Sequence, residues 1–275
     1  MILAADNLQI LRPSVQRAAE RGDPAPIAAL VRNMVFAGAE AIDINAGPCP
    51  RNPETIAPFL VRTVQETCRL PILIDTANPK AMEAGIRASL RPPILNGFSL
   101  EPEKLERILP LAVEADVDIV GYLLGPDGHV PPDAQGRLSC ALALFEAAAK
   151  KGLPPERIIV DPVVVPLSWQ DGIGQVHEVL EVIRLLPEML NLPVRTVAGL
   201  SNLTAGAPAG APRSLVASVF LSMLAAAGLS MVLLDVFQTE TMKAAGACRL
   251  LTSGQVFSWA ALMAANAPGN SRPPD

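Results

Sequence analysis

Polar residues of a restricted set stand where short apolar runs end, and their types suit hydrogen-bonding chemistry. Asp75 follows Pro-Ile-Leu-Ile, and Asp161 follows Ile-Ile-Val. Asn96 stands in Leu-Asn-Gly-Phe-Ser, and Asn202 in Gly-Leu-Ser-Asn-Leu-Thr. A carboxylate accepts two hydrogen bonds side by side, which matches an amino-pyrimidinone edge with adjacent N–H donors. An asparagine amide donates and accepts at once. Asn45, in Asp-Ile-Asn-Ala-Gly-Pro, offers the same groups, and Asp43 two residues earlier leaves the same strand face. Such a set is built for a neutral, nitrogen-rich ring. Each residue also has a plainer reading, because Asp beside proline caps turns and Asn at a strand end forms them. Two carboxylates from opposite sides of one pocket are harder to assign to turns alone.

Other chemistries find less support. His129 and His177 have no partner at metal-ligand spacing and read as structural or solvent-facing. Cys49, Cys68, Cys140 and Cys248 stand far apart with no Cys-x-x-Cys pair, against a zinc or iron–sulfur site and against a disulfide framework. No Ser, His and Asp set, no strand-end lysine and no Gly-x-Gly-x-x-Gly after a strand is present. Asp127-Gly128-His129 half-matches the Asp-x-His-x-x-Gly motif of cobalamin ligation, but Pro132 occupies the glycine position. The chain is therefore not expected to hold a corrinoid by itself.

The elements that must position these residues repeat as strand, polar tip and helix. Apolar runs at 2–5, 41–44, 71–74, 94–95, 119–124, 158–160, 196–200 and 231–234 lead into Asp6-Asn7, Asn45, Asp75, Asn96, Gly125-Pro126-Asp127, Asp161, Ser201-Asn202 and Asp235. That period predicts a (β/α)8 TIM barrel, in which the C-terminal strand tips surround one pocket. Asp23-Pro24, Asn78-Pro79 and Glu101-Pro102 predict helix starts, the first reaching about Gly38 and the second about Ser89. Helices are also predicted over 134–151, over 175–186 with Pro187 as its stop, and over 239–251. Residues 215–234 carry no charge between Arg213 and Asp235 and imitate a membrane span. The strand–helix cycle instead predicts a helix over 213–227, Gly228 as its C-cap and a last strand.

The 275 residues suit one barrel over residues 1–265, with 266–275 as a frayed tail. Half the residues are hydrophobic, while 18% are charged, below the usual quarter or so. That shortage of charge suggests surface covered in an oligomer. A net charge of −5 with 4% aromatics argues against nucleic acid. With no signal peptide evident, a cytoplasmic location is expected.

The chain resembles the pterin-binding (β/α)8 family, most closely the methyltetrahydrofolate:corrinoid/iron–sulfur protein methyltransferases. The resemblance lies in Asp23-Pro-Ala-Pro, Ala41-Ile-Asp-Ile-Asn-Ala-Gly-Pro48, Asp75-Thr-Ala-Asn-Pro-Lys-Ala-Met-Glu-Ala-Gly85, Leu95-Asn96, Asp161-Pro162 and Gly199-Leu-Ser-Asn202, in family order over nearly the whole chain. It implies a dihydropteroate-synthase-like barrel in which Asp75, Asn96 and Asp161 hold the pterin and Asn202 hydrogen-bonds near N5. Asn45, Gly199 and Ser201 are placed with the substrate-binding residues. The resemblance further implies a homodimer, methyltetrahydrofolate as substrate, no metal in this subunit, and a corrinoid carried by a partner protein. Methyl would move from N5 to Co(I), or back. A tertiary amine leaves poorly, so N5 must gain a proton or strong hydrogen bond. An amide has no useful pKa, so Asn202 would hydrogen-bond the N5 region as charge changes while water or an Asp–water network delivers the proton.

One stretch departs from the family. Where Gly-Glu-Arg and then an asparagine two positions on usually end the first strand, this chain has Ala5-Asp6-Asn7-Leu8-Gln9. A non-catalytic folate-binding protein would keep Asp75, Asn96 and Asp161 and tolerate that change. Dihydropteroate synthase is the other alternative, but Ser201-Asn202-Leu203-Thr204 replaces its Ser-Arg-Lys and no Arg-x-His is present.

Overall fold

Alternation of side chains along parallel strands builds a closed barrel. In chain order the strands are β1 Ile2–Gln9, β2 Ala41–Asn45, β3 Ile72–Asp75, β4 Ile94–Phe98, β5 Ile119–Tyr122, β6 Ile158–Asp161, β7 Arg195–Gly199 and β8 Met231–Leu234. Each pairs with the next, and β8 returns to β1. The computed structural model describes residues 1–48, 52–254 and 256–265. The tail expected over 266–275 and Cys49 lie outside the described residues.

Inward side chains form two layers. The lower is an apolar plug of Ala4, Ala41, Leu73, Val120, Ile159, Val197 and Met231. Because side chains repeat every second residue, the next inward positions towards the C-terminal mouth are Asp43, Asp75, Asn96, Tyr122, Asp161 and Gly199. The barrel is thus a cup with an apolar base and a polar upper layer. Residues of the other parity, among them Ile42, Ile44, Ile72, Ile74, Ile119, Ile158 and Val160, lie buried against the helices. Each such side chain stabilises by about 1.5–3 kcal/mol, which offsets the cost of enclosing polar groups above the plug. Gly121 belongs to this outer set. A Cβ there would stand 2.9 Å from Leu144, so the helix Ala134–Lys150 packs close against β5.

Several strands outrun the apolar segments that announced them, because backbone pairing continues through the polar residues. Ala46 N–H still donates to the Asp75 carbonyl at 3.0 Å, and Leu123 N–H to the Asp161 carbonyl at 2.9 Å. The largest correction is β1, which runs to Gln9 rather than ending at Ala5. Ala5 pairs with Ile42 and Leu8 with Ile44, so Asp6 and Asn7 together oppose Asp43. This β-bulge turns both side chains towards the mouth.

Helix boundaries largely follow the capping signals. Asp23 and Asn78 side chains accept N–H bonds from Ala25 and from Lys80 and Ala81, opening Pro24–Phe36 and Pro79–Ala88. Pro187 does not stop its helix, which spans Gly172–Leu190. Its ring removes one N–H from the helix ladder, but the helix continues for one more turn, where the Pro187 carbonyl accepts the Leu192 N–H at 3.2 Å. Arg213–Ala227 ends at Gly228, which has φ 98° and donates to Ala225 and Leu224 carbonyls. Among the described residues no helix is long and apolar enough to cross a membrane.

Candidate functional site

The polar layer is interlocked along β2 to β6. Asn45 Nδ2 donates to Asp75 Oδ2 at 2.5 Å, while Asn45 Oδ1 accepts the Gly47 N–H at 3.0 Å. Asn45 therefore orients Asp75 on the neighbouring strand. Asn96 Nδ2 donates to Asp43 Oδ1 at 3.2 Å across the barrel, and the Tyr122 hydroxyl donates to Asn96 Oδ1 at 2.5 Å. Asp161 Oδ1 accepts the Val163 N–H at 2.8 Å. Val163 has φ 65°, a costly conformation for a β-branched residue. Arg137 holds that turn: its guanidinium donates to the Pro131, Pro162 and Val163 carbonyls and to Gln175 Oε1. It is 0% exposed, so a whole cationic side chain is spent on the loop that presents Asp161.

Enclosing this many carboxylates in one cup shifts their ionisation. Burial pushes Asp161 up to about 7, opposed by the Val163 hydrogen bond and by Arg137. Burial raises Asp75 to about 6, against the pull of Lys104 on the helix Pro102–Arg107. Asp43 lies well above the usual carboxylate range through desolvation first and the Asp75 charge second. Tyr122 is raised by burial and then by Asp75, Asp161 and Asp43, so it stays a neutral phenol. These carboxyls therefore hold protons closer to neutrality than free aspartates do, and a ligand edge carrying N–H donors would favour their release.

The opposite side of the mouth is looser. Ser201 and Asn202 lie in the short helical turn Leu200–Leu203 after β7 and are exposed. Gly199 makes room for them, since a Cβ there would stand 3.1 Å from Asn202 Nδ2. Asp6, from the β1 bulge, is raised by burial, opposed by the Ser201 hydroxyl, with Asp235 and Arg12 pulling in opposite directions. Asn7 secures the bulge, donating to Asp235 Oδ1 at 2.5 Å and accepting the Val236 N–H at 3.1 Å. Gln9 turns back onto the Asp6 carbonyl at 2.9 Å. A cavity of about 280 Å³ adjoins this rim, lined by Ser201, Thr204, Arg213, Ser214, Asp235 and Gln238.

All the residues selected from sequence thus lie at the C-terminal mouth, with Asp75, Asn96 and Asp161 in the enclosed wall and Ser201 and Asn202 on the open rim. Sequence reasoning missed Tyr122 and Arg137. It noted Asp43 only as a neighbour of Asn45. Counting two residues on from Val120 is the signal that would have found Tyr122. His129 stands outside, exposed and paired with Asp127 at 3.3 Å. A larger groove of about 710 Å³ between Pro53–Thr67 and Pro79–Ala88 touches no strand tip and mixes Glu54, Glu66 and Glu83 with Arg62, Lys80 and Arg87.

Comparison with known proteins agrees with this architecture. The family described as pterin binding enzyme matches residues 13–235. A methylcorrinoid:tetrahydrofolate methyltransferase from Eubacterium limosum is 27% identical over 248 residues, covering 89% of this chain and 88% of the relative. Dihydropteroate synthase from Stenotrophomonas maltophilia, crystallised with imidazole in its active site, superposes with a TM-score of 0.66 at 18% identity, over 93% of this chain and 94% of that one. At that identity the likeness shows the fold.

Proposed function

From a chain that belongs to the pterin-binding enzyme family, we propose a methyltransferase that moves a methyl group between N5 of tetrahydrofolate and a corrinoid carried by a partner protein. The observation that carries this reading is the convergence of Asp75, Asn96 and Asp161, already held by Asn45, Tyr122 and Val163, on one enclosed wall. That wall takes the pyrimidinone edge of the pterin. N5 then lies towards the open rim, where Asn202 reaches it and a second macromolecule has access.

In the direction named for the Eubacterium relative, the N5 lone pair attacks the methyl carbon. The carbon–cobalt bond breaks with its electron pair left on cobalt as Co(I), and the N5 proton departs. In reverse, N5 gains that proton before Co(I) takes the methyl. Asn202 stabilises the charge as it changes on N5. Asp6, enclosed near Ser201, the neighbour of Asn202, is the acid that exchanges the proton. A purely folate-binding role is favoured by one feature, the replacement of the family's Glu-Arg by Asp6-Asn7, since Asn7 is spent on Asp235. Incubation with methyltetrahydrofolate and reduced free cobalamin decides between them. A methylcobalamin spectrum supports the enzyme, and folate binding without transfer to any supplied corrinoid supports the binder.

The homodimer belongs to the same proposal and uses outer helices. Leu215 and Val219 on Arg213–Ala227 are exposed apolar side chains on a helix without charge after its first residue. Sedimentation at micromolar concentration is expected to give a dimer, and a monomer alone refutes it.

A further inference from the structure

We propose that Tyr122 is a positioning residue that fixes which way round the Asn96 amide faces the cup, so that Asn96 offers the ligand an N–H donor. For the ligand this rests on the pterin reading above; the contacts that hold the amide are made within the protein itself.

The phenol stands where a bland strand residue would serve. Val120 completes the apolar plug, and Tyr122, two residues on, carries its ring up from the same face to the polar layer. There its hydroxyl donates to Asn96 Oδ1 at 2.5 Å, while Asn96 Nδ2 donates to Asp43 Oδ1 at 3.2 Å. A primary amide has two N–H groups and two lone pairs. One of each is committed beneath the ligand, leaving one N–H and one lone pair for the cup. Rotating the amide by half a turn would deprive the phenol proton of its acceptor. The phenol is thus the donor that recognises oxygen and selects one orientation.

Backbone packing makes the arrangement stiff. Asn96 is 3% exposed, and a Cβ on the adjoining Gly97 would come 2.3 Å from the Val120 carbonyl. Only glycine lets β4 lie this close to β5, and that closeness brings Tyr122 within reach of Asn96. Burial beside three aspartates keeps the phenol protonated through the neutral range, so the donor persists.

Tyr122→Phe keeps the ring and removes only the hydroxyl. In the unliganded full chain, the Asn96 side-chain amide is assigned in ¹⁵N-labelled protein by its loss in Asn96→Asp. The wild type is expected to show one slowly exchanging amide pair, and Tyr122→Phe to show it shifted with faster exchange. Titration with methyltetrahydrofolate is expected to give about tenfold weaker binding for Tyr122→Phe, the scale of one hydrogen bond. Tyr122→Phe added to Asn96→Ala is expected to cost nothing further, because the phenol acts through Asn96. An unchanged Asn96 signal overturns the proposal, as do additive losses in the double variant or a lowered melting temperature with unchanged amide and affinity. If the wild type binds no folate, the pterin reading fails, and the amide signal still decides how the amide is held.

Discussion

Asp43, Asp75, Asn96, Tyr122 and Asp161 rise from consecutive strands β2 to β6, enclosed and held by one another or by adjoining backbone. Ser201 and Asn202, across the mouth, sit exposed on a single helical turn beside a cavity, with Asp6 as their enclosed neighbour. On the proposed function, the contrast separates two tasks. A wall that recognises a ring by hydrogen bonds is best fixed before the ligand arrives, because reorienting buried dipoles costs free energy at each encounter. A rim where two substrates exchange a group must admit the second one, so it cannot be sealed.

The largest effect that tests this division is on rate. Asn202→Ala is expected to slow single-turnover methyl transfer by about 10²–10³, with a much smaller change in folate affinity. Equal losses in both would make Asn202 another part of the binding wall and erase the contrast. On the wall the order reverses. Asp75→Ala or Asp161→Ala leaves pterin N–H donors unpaired at about 1–3 kcal/mol each, so calorimetry should show roughly 10–100-fold weaker binding. Transfer at saturating folate should then survive better than in Asn202→Ala.

A pH dependence sharpens the same comparison. Donor N–H groups pair best with ionised acceptors, and burial raises Asp75 and Asp161 to about 6 and about 7. Affinity should therefore rise with pH through that window and level off above it, by up to about tenfold per unit for each proton released. Folding stability has the opposite sign. The raised carboxyl values favour the protonated folded state, so this contribution to stability is greatest below about pH 4 and falls as pH rises towards 7. Asp161→Asn should flatten both trends in titration and thermal melting, and unaltered trends would place the titrating group elsewhere.

The wall was unevenly legible. Asp75, Asn96 and Asp161 each interrupt a Val/Ile/Leu run, and a polar residue there is conspicuous in any sequence. Tyr122 lies within Ile-Val-Gly-Tyr-Leu-Leu, which reads as apolar throughout, so its hydroxyl drew no notice. Arg137 looked like one more helix residue, though it reaches the loop after β6, 25 residues away. On the rim, Asp6 and Asn7 were visible as a tip, but their shared orientation comes from the shifted pairing of β1 with β2.

Local periodicity determined a great deal by itself: the eightfold strand–helix cycle, the stop at Gly228, and the polar residues at most strand ends. These follow from steric preference and two-residue alternation, which act between near neighbours in the chain. Tertiary structure decided what no window of sequence contains. Pairing of β1 with β2 set the bulge, and closure of β8 on β1 tied Asn7 to Asp235, 228 residues away. Inward projection let Asn96 of β4 reach Asp43 of β2 past the intervening strand. The ionisation of the aspartates depends on how completely the barrel removes them from water, which only the assembled wall fixes.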